Sequence, residues 1–325
     1  MIGLQSNDIC YSVLQGGNMT FSTDGVTRQS IDPELARTAF DFNIVKRENF
    51  DVQGRLIPGQ WHLEKENDGS IIPSMSVGDR FEPIQHSTVF DYVVQRVMPE
   101  LPNAQIQVAG TIRGGGVGLI IIRIGDEFAV SGDESPQHLQ LIFNNPTNGM
   151  GRMTLGMTTM RLFCENQLVV AMNAARQDGL NVMHTKSGTE IAAFAMDIVH
   201  AEAKKGRLLK ERIVRMASRQ VTMETVRLSL DHIYPLEGLE KDTRIYKNRE
   251  RLREQVVEQF ESGETAMTIK EDNAWKLFNS FTYPVFNPKK MRRTMDRAEI
   301  QYSGMFGTRA FGVRQIFEKV ESLVI

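Results

Sequence analysis

Cysteine is nearly absent: Cys10 and Cys164 are the only two in 325 residues. Two thiols build neither a disulfide framework nor a cysteine-rich zinc site, and a reducing, cytoplasmic setting is the expectation. Long apolar runs are missing as well. The longest, Gly118 to Ile124, has strand length and is broken by Arg123, well short of the roughly 20 residues a membrane helix needs. The opening residues MIGLQSNDICYS lack the basic segment and apolar core of a secretion signal. Charge of one sign is also scarce overall, with a net charge of −2, which argues against a uniformly cationic surface.

Catalytic and cofactor motifs are missing too. The six histidines, His62, His86, His138, His184, His200 and His232, are scattered without the spacing of a metal site. No Gly-x-Ser-x-Gly elbow surrounds a serine. The glycine run Gly114 to Gly118 is not followed by Lys-Ser/Thr, so it is not a phosphate-cradling loop. It reads instead as a turn needing positive φ. Cys164 falls where a strand gives way to a helix, yet no partner histidine is identifiable, and a buried structural thiol is the favoured reading. Cys164 and His184 are the only enzyme candidates. The expectation is a non-enzymatic protein with no cofactor and no metal.

What is present is an ordinary folded composition, 41% apolar and 24% charged, with an uneven charge distribution. Residues 1–150 carry 10 Lys+Arg against 18 Asp+Glu, and residues 151–325 carry 28 against 22. An acidic front and a basic back suit anion binding by the second half.

Residues 1–35 are polar and read as an extended arm. From Phe40 the apolar residues alternate, as in antiparallel strands. Phe42 and Ile44 start one strand, and Trp61 and Leu63 lead through Asn67-Asp68-Gly69-Ser70 to Ile71 and Ile72, a hairpin. Helical spacing from Ser87 to Met98 predicts one helix with Ser87 as its N-cap. Strands return at Ile106–Val108, Leu119–Ile124, Phe128–Val130 beyond a Gly125-Asp126 turn, Leu139–Phe143 and Met153–Phe163. Helices are then predicted over 165–177, 189–220, 222–232, 243–261, 271–281 and 312–323, with a short strand over 181–185. Strands first and helices second make an α+β protein. It divides into an arm (1–35), an α+β core (36–235) and a helical region (236–325).

One basic constellation stands out. Lys204, Lys205, Arg207, Lys210, Arg212, Arg215 and Arg219 lie within sixteen residues, opposed only by Glu211. At 100° per residue, all but Lys210 crowd an arc of about 160°, opposite Leu209, Ile213 and Met216. Such a face suits a phosphate backbone, and a solvated face paired to carboxylates is the competing reading. A second cluster, Lys289, Lys290, Arg292 and Arg293, precedes Tyr302-Ser-Gly-Met-Phe306-Gly-Thr-Arg309-Ala-Phe311-Gly-Val-Arg314. Aromatics interleaved with arginines suit base stacking, or equally a loop closing the core.

Several short runs, in this order, resemble a known family: Gly78-Asp79-Arg80-Phe81-Glu82-Pro83-Ile84-Gln85, Thr111-Ile112-Arg113-Gly114-Gly115, Arg161-Leu-Phe-Cys164-Glu-Asn166-Gln-Leu168, His184-Thr185 and Asn273-Ala-Trp275-Lys-Leu277-Phe-Asn279. Together, over roughly residues 40 to 320, they are similar to the phage/plasmid-like proteins called domain of unknown function 932. The resemblance implies a gene of a mobile element, near replication and recombination genes. The outline is also similar to a Rad52-like annealing-protein core. Arg113 and Arg161 are the matched cations that could meet phosphate. The leading expectation is thus a homo-oligomeric protein that binds and anneals single-stranded DNA. Lys204, Lys205, Arg207, Arg212, Arg215 and Arg219, with Arg113 and Arg161, would be its contacts. The alternative is an interaction or scaffold protein of the phage programme.

Overall fold

The structure, a computed structural model, describes residues 31–149, 151–161, 167–168, 181–185, 196–287 and 308–324. It confirms an α+β protein, with antiparallel sheet in the first half and helices in the second. The chain forms two compact units. One holds the described residues of Met1–Gly125, Gln140–Met157 and Ala171–Lys204, and the other those of Asp126–Leu139, Thr158–Val170 and Lys205–Ile325.

Residues 33–35, the last of the expected arm, begin a helix. Helix α1 (Pro33–Arg37) forms because Asp32 caps it, accepting from the amides of Glu34 and Leu35, and Pro33 supplies a preset φ at the first turn. Residues 1–30 of the expected arm lie outside the described residues.

Strands β1 (Ile44–Phe50), β2 (Leu56–Lys65) and β3 (Ile71–Val77) form a three-stranded antiparallel sheet. The expected hairpin is there. Gly69 turns it at φ 66, and the Asp68 carboxylate accepts from the Ser70 amide at 2.8 Å. Pairing Lys46 with Leu63, and Leu63 with Ile72, puts Ile44, Leu63, Ile72 and Val77 into one small core.

Helix α2 (His86–Tyr92) continues through a π turn to Val97 and a tight turn over Met98–Glu100. Ser87 is not its cap: the helix starts one residue earlier, and Gln85 at the cap position uses its side chain on Ile44 of β1 instead.

The larger sheet runs in the order β4 (Gln105–Ile112), β5 (Val117–Val130), β6 (Asp133–Pro146), β7 (Met153–Arg161) and β8 (Gln167–Leu168), with β9 (Asn181–Val182) on β7. The expected turn at Gly125-Asp126 is absent. Gly125 takes φ 67 inside a single 14-residue strand, because a residue without Cβ bends the chain there without ending it. The true turn is Ser131-Gly132, with Gly132 at φ 74.

The helix expected over 165–177 is corrected at its start, where Gln167 and Leu168 pair with Met160 and Thr159 as strand. Local periodicity cannot register the hydrogen-bonding edge that β7 offers. The remainder of that expected helix lies outside the described residues.

The second unit holds α3 (Met196–Ala217) from Lys205 onward, α4 (Met223–Ile233), α5 (Arg244–Glu261), α6 (Glu264–Thr268), α7 (Ala274–Phe286) and α8 (Thr308–Val324). Thr222, Thr243 and Asn273 cap α4, α5 and α7 with their side chains. Helix α7 is buried on nearly every side, as its all-round apolar sequence demands. Trp275, Phe278 and Phe281 of α7 meet Leu209, Ile213 and Met216 of α3, Phe317 of α8, and Phe128 and Val130 of β5 in one core. No helix among the described residues is long and apolar enough to cross a membrane.

Candidate nucleic-acid interface

Helix α3 carries the expected amphipathic face. Leu209, Ile213, Met216 and Ala217 are buried, while Lys204, Arg207, Leu208, Glu211, Val214, Arg215, Ser218 and Arg219 are exposed on or just beyond the helix. The buried stripe fixes which way the cations point, because burying those apolar side chains is what docks the helix. Among the described residues, Lys204, Arg207, Arg215 and Arg219 take part in no ion pair. Arg207 and Arg215 stand about 12 Å apart along the axis at 1.5 Å per residue.

The structure removes one expected contact from this set. Arg212 donates to Glu321 of α8 through Nε at 2.8 Å and through Nη2, and its guanidinium lies 4.6 Å from the centre of the Phe317 ring. A bidentate carboxylate pair stacked on an aromatic ring is a packing device. Arg212 lies at the flank of the arc, where helix-wheel reasoning cannot tell a solvent edge from a helix contact. Lys205 is half-buried beside it and Lys210 sits 4.8 Å over the Phe128 ring. We expect Arg212→Ala to lower stability by about 1–2 kcal/mol in urea denaturation while leaving the salt dependence of any nucleic-acid binding unchanged. A lost salt slope with unchanged stability would return Arg212 to the interface.

Other basic residues of the second half also have structural tasks. Arg249 donates to the Pro235 carbonyl at 2.6 Å, Arg253 to the Tyr234 carbonyl at 3.2 Å and Lys319 to the His232 carbonyl at 3.0 Å. These cations satisfy the open carbonyls at the C-terminal end of α4 and complement its dipole. Part of the basic excess read from the sequence is therefore helix capping.

The remaining expected contacts are elsewhere. Arg113 belongs to the first unit, half-buried at φ 55 in the Arg113–Gly115 turn between β4 and β5. Arg161 ends β7 and its side chain lies outside the described residues, as do Lys289, Lys290, Arg292, Arg293 and 302–307. Thr308 onwards is the first part of α8 rather than a loop, and Arg314 there pairs with Glu318 at 2.7 Å.

The first unit holds a buried polar knot that sequence reading did not assemble. His86 Nε2 meets the Gly115 carbonyl at 2.8 Å, and its Nδ1 faces the Asn145 amide nitrogen at 3.0 Å. Asn145 also donates to the Ile84 carbonyl at 2.8 Å. His184 Nδ1 accepts from the Ile84 amide at 3.1 Å, with its ring stacked on Phe81. An added Cβ on Gly118 would stand 2.4 Å from His86 Nδ1, so glycine is needed there for space. Desolvation brings His86 down to about 4, with the Lys65 charge adding and the Gly115 carbonyl opposing. His184 is likewise brought down to about 4 by burial, with His86 adding and the Pro146 carbonyl opposing. Both rings are thus neutral near pH 7.

His184, one of the two enzyme candidates, is buried here with its Nδ1 occupied by a backbone amide. The other, Cys164, lies outside the described residues. No cluster of three or more His, Cys, Asp or Glu side chains that could hold a metal occurs among the described residues.

The family model described as "Domain of unknown function (DUF932)" matches residues 74–303. No curated protein and no solved structure matches the chain. The match takes in the histidine knot and α3–α7, and ends before α8.

Proposed function

Since the chain belongs to the domain of unknown function 932 family, we propose that it binds and anneals single-stranded DNA, with α3 as the phosphate track. The observation that carries the reading is the set of four exposed cations, Lys204, Arg207, Arg215 and Arg219, without carboxylate partners among the described residues on the side of α3 opposite its buried stripe. These four are set apart by lying together on, or just beyond, one helix. Binding of this kind needs no cofactor. It suits replication or recombination of a phage or plasmid, with the protein as a homo-oligomer.

The test is a fluorescence-anisotropy titration against a labelled single strand and its duplex at several salt concentrations. With about four phosphate contacts, log K falls against log salt with a slope near −2.8 for a single strand. Substituting Arg207, Arg215 and Arg219 with Gln removes most of that slope and weakens binding by at least about tenfold at low salt. Sedimentation of the same preparation reports self-association, and mixing complementary strands reports annealing. Absence of binding at low salt refutes the reading.

The interaction-protein alternative has its own observation. At the tip of the β1–β2 hairpin the cross-strand pair Phe50 and Leu56, together with Val52, is exposed. A protein that ignores nucleic acid would have its partner sought there first.

A further inference from the structure

Resting on the self-association in that reading, we infer that two copies of the chain pair through the outer edge of β1, antiparallel about a twofold axis at Arg47. The partner of this edge is thus a second copy, and the two three-stranded sheets join into one.

The alternation of the ladder fixes where the edge is open. The Glu66 amide donates to the Asn43 carbonyl at 2.9 Å, one step beyond the pair of Ile44 with Lys65. Bonded and non-bonded pairs alternate in an antiparallel ladder. Val45 and Arg47 therefore bond β2, while Ile44, Lys46 and Glu48 turn their backbone groups outward. At Ile44 one side chain takes both groups: the amide donates to Gln85 Oε1 at 2.8 Å, and Gln85 Nε2 donates to the carbonyl at 3.0 Å. Gln85 does at that rung what a neighbouring strand would do. Beyond it, nothing among the described residues meets the outward backbone of Lys46 and Glu48. The other edge of the sheet is blunted, since β3 carries Pro73 and its Met75 amide donates to the Asn148 carbonyl at 3.2 Å.

Charged side chains ordinarily protect an open edge by repelling a second one. Here the signs favour self-pairing instead. Lys46 and Glu48 share one face of β1, and an axis at Arg47 sets each Lys46 opposite Glu48 of the second copy. The result is two opposite-charge pairs and four backbone hydrogen bonds. Glu48 is exposed and takes part in no ion pair among the described residues. Arg47 meets its counterpart across the axis on the other face, with its charge already matched by Glu64 at 3.4 Å. An axis at Glu48 would oppose two carboxylates, and one at Asn49 would part Lys46 from Glu48. With the axis at Arg47, the exposed Phe50 comes opposite Ile44 of the second copy. Beside Ile44 lies a cleft of about 510 Å³ lined by Lys46, Trp61, Pro83 and Gln85, where the ring can leave water.

One short edge is a small interface, so association in the micromolar range is expected. Sedimentation velocity of the full chain from about 1 to about 100 μM should show monomer passing into dimer. The contact is isologous, so it closes at two copies. Glu48→Lys sets a lysine against each Lys46 and should weaken the dimer at least about tenfold. Glu48→Pro should do the same, because the lost N–H points away from β2. Circular dichroism checks that both variants are folded. Oxidation reads the axis without altering Glu48. R47C places two thiols on the axis at a Cα separation of about 4.5 Å, within disulfide reach. N49C places them about 13 Å apart, and the native chain, with Cys10 and Cys164, sets the background.

R47C should therefore cross-link well above that background and N49C should not. A native chain that stays monomeric at about 100 μM overturns this inference. So does a dimer indifferent to both Glu48 variants, or cross-linking of N49C as readily as R47C. None of these touches the phosphate track, which the anisotropy titration tests separately. A dimer sensitive to Glu48 in a chain that ignores nucleic acid upholds the β1 pairing and refutes the track.

Discussion

Replacing Trp275 with alanine is expected to destabilise the helical unit by about 3–5 kcal/mol, a large share of the roughly 5–15 kcal/mol that keeps an ordinary domain folded. Trp275 is 1% exposed in the first turn of α7, stacked on Phe278 at 5.5 Å between ring centres. Its indole Nε1 donates to Asp133 Oδ2 at 2.8 Å. Alanine would leave a large cavity and an acceptor that has lost a donor.

Trp275→Phe separates the two effects. It keeps most of the apolar volume while losing the N–H, and Asp133 retains donors from the Ser135 amide and the Gln137 side chain. The expected loss is about 1–2 kcal/mol. Urea denaturation followed by far-ultraviolet circular dichroism measures both, since fluorescence would lose its reporter. A loss below about 1 kcal/mol for alanine would mean that the core collapses into the space, contrary to its dense aromatic packing. The hydrogen bonds around Trp275 argue against such collapse. Asn273 caps the helix, Asn279 donates to the Trp275 carbonyl at 2.8 Å, and Ser280 donates to the Lys276 carbonyl at 2.9 Å.

Acidification is the second large effect. The first unit should lose stability as pH falls from about 6.5 to about 4, because both buried histidines are held neutral in the fold. The sign follows from the lowered value: a histidine that resists protonation when folded but accepts a proton at its ordinary value when unfolded favours unfolding in acid. Its contribution is intact above pH 6.5 and declines until about pH 4.

Each ring would account for roughly 3 kcal/mol by pH 4 if titrating alone; the two interact, so the effects do not simply add. The hydrogen bonds give the same sign independently. A second proton on His86 would sit on Nδ1, against the Asn145 amide nitrogen, and one on His184 would sit on Nδ1, against the Ile84 N–H. Urea denaturation at pH 7, 5.5 and 4.5 should show a falling midpoint. His184→Gln, whose amide oxygen can still accept from Ile84 and carries no titration, should show a shallower fall. A midpoint equal at pH 7 and 4.5 would mean that the rings are hydrated in solution.

Much of this was legible in the sequence where the determinant is local. The hairpin at Asn67–Ser70 followed from a positive-φ glycine beside a side-chain acceptor. Helix α5 followed from helical spacing over 243–261, and the docked stripe of α3 from Leu209, Ile213 and Met216. Element starts failed where a distant partner intervened. Gln167 and Leu168 read as helix because their pairing partner lies on β7. Ser87 read as a cap because nothing local shows that Gln85 is held by β1. Gly125 read as a turn because a glycine inside a strand and a glycine ending one look alike in sequence.

For the candidate interface, the sequence by itself determined that a helix would carry cations on one arc and apolar residues on the other, since 3.6-residue periodicity is a property of order along the chain. Only the tertiary structure decided which of those cations are available. Arg212 is held by Glu321, 109 positions away, while Arg207, Arg215 and Arg219 face solvent. The histidine knot was likewise invisible beforehand: Ile84, His86, Gly115, Asn145 and His184 are scattered over a hundred residues. Desolvation and hydrogen bonding act through space, so a side chain's charge state and availability are settled by what folds against it.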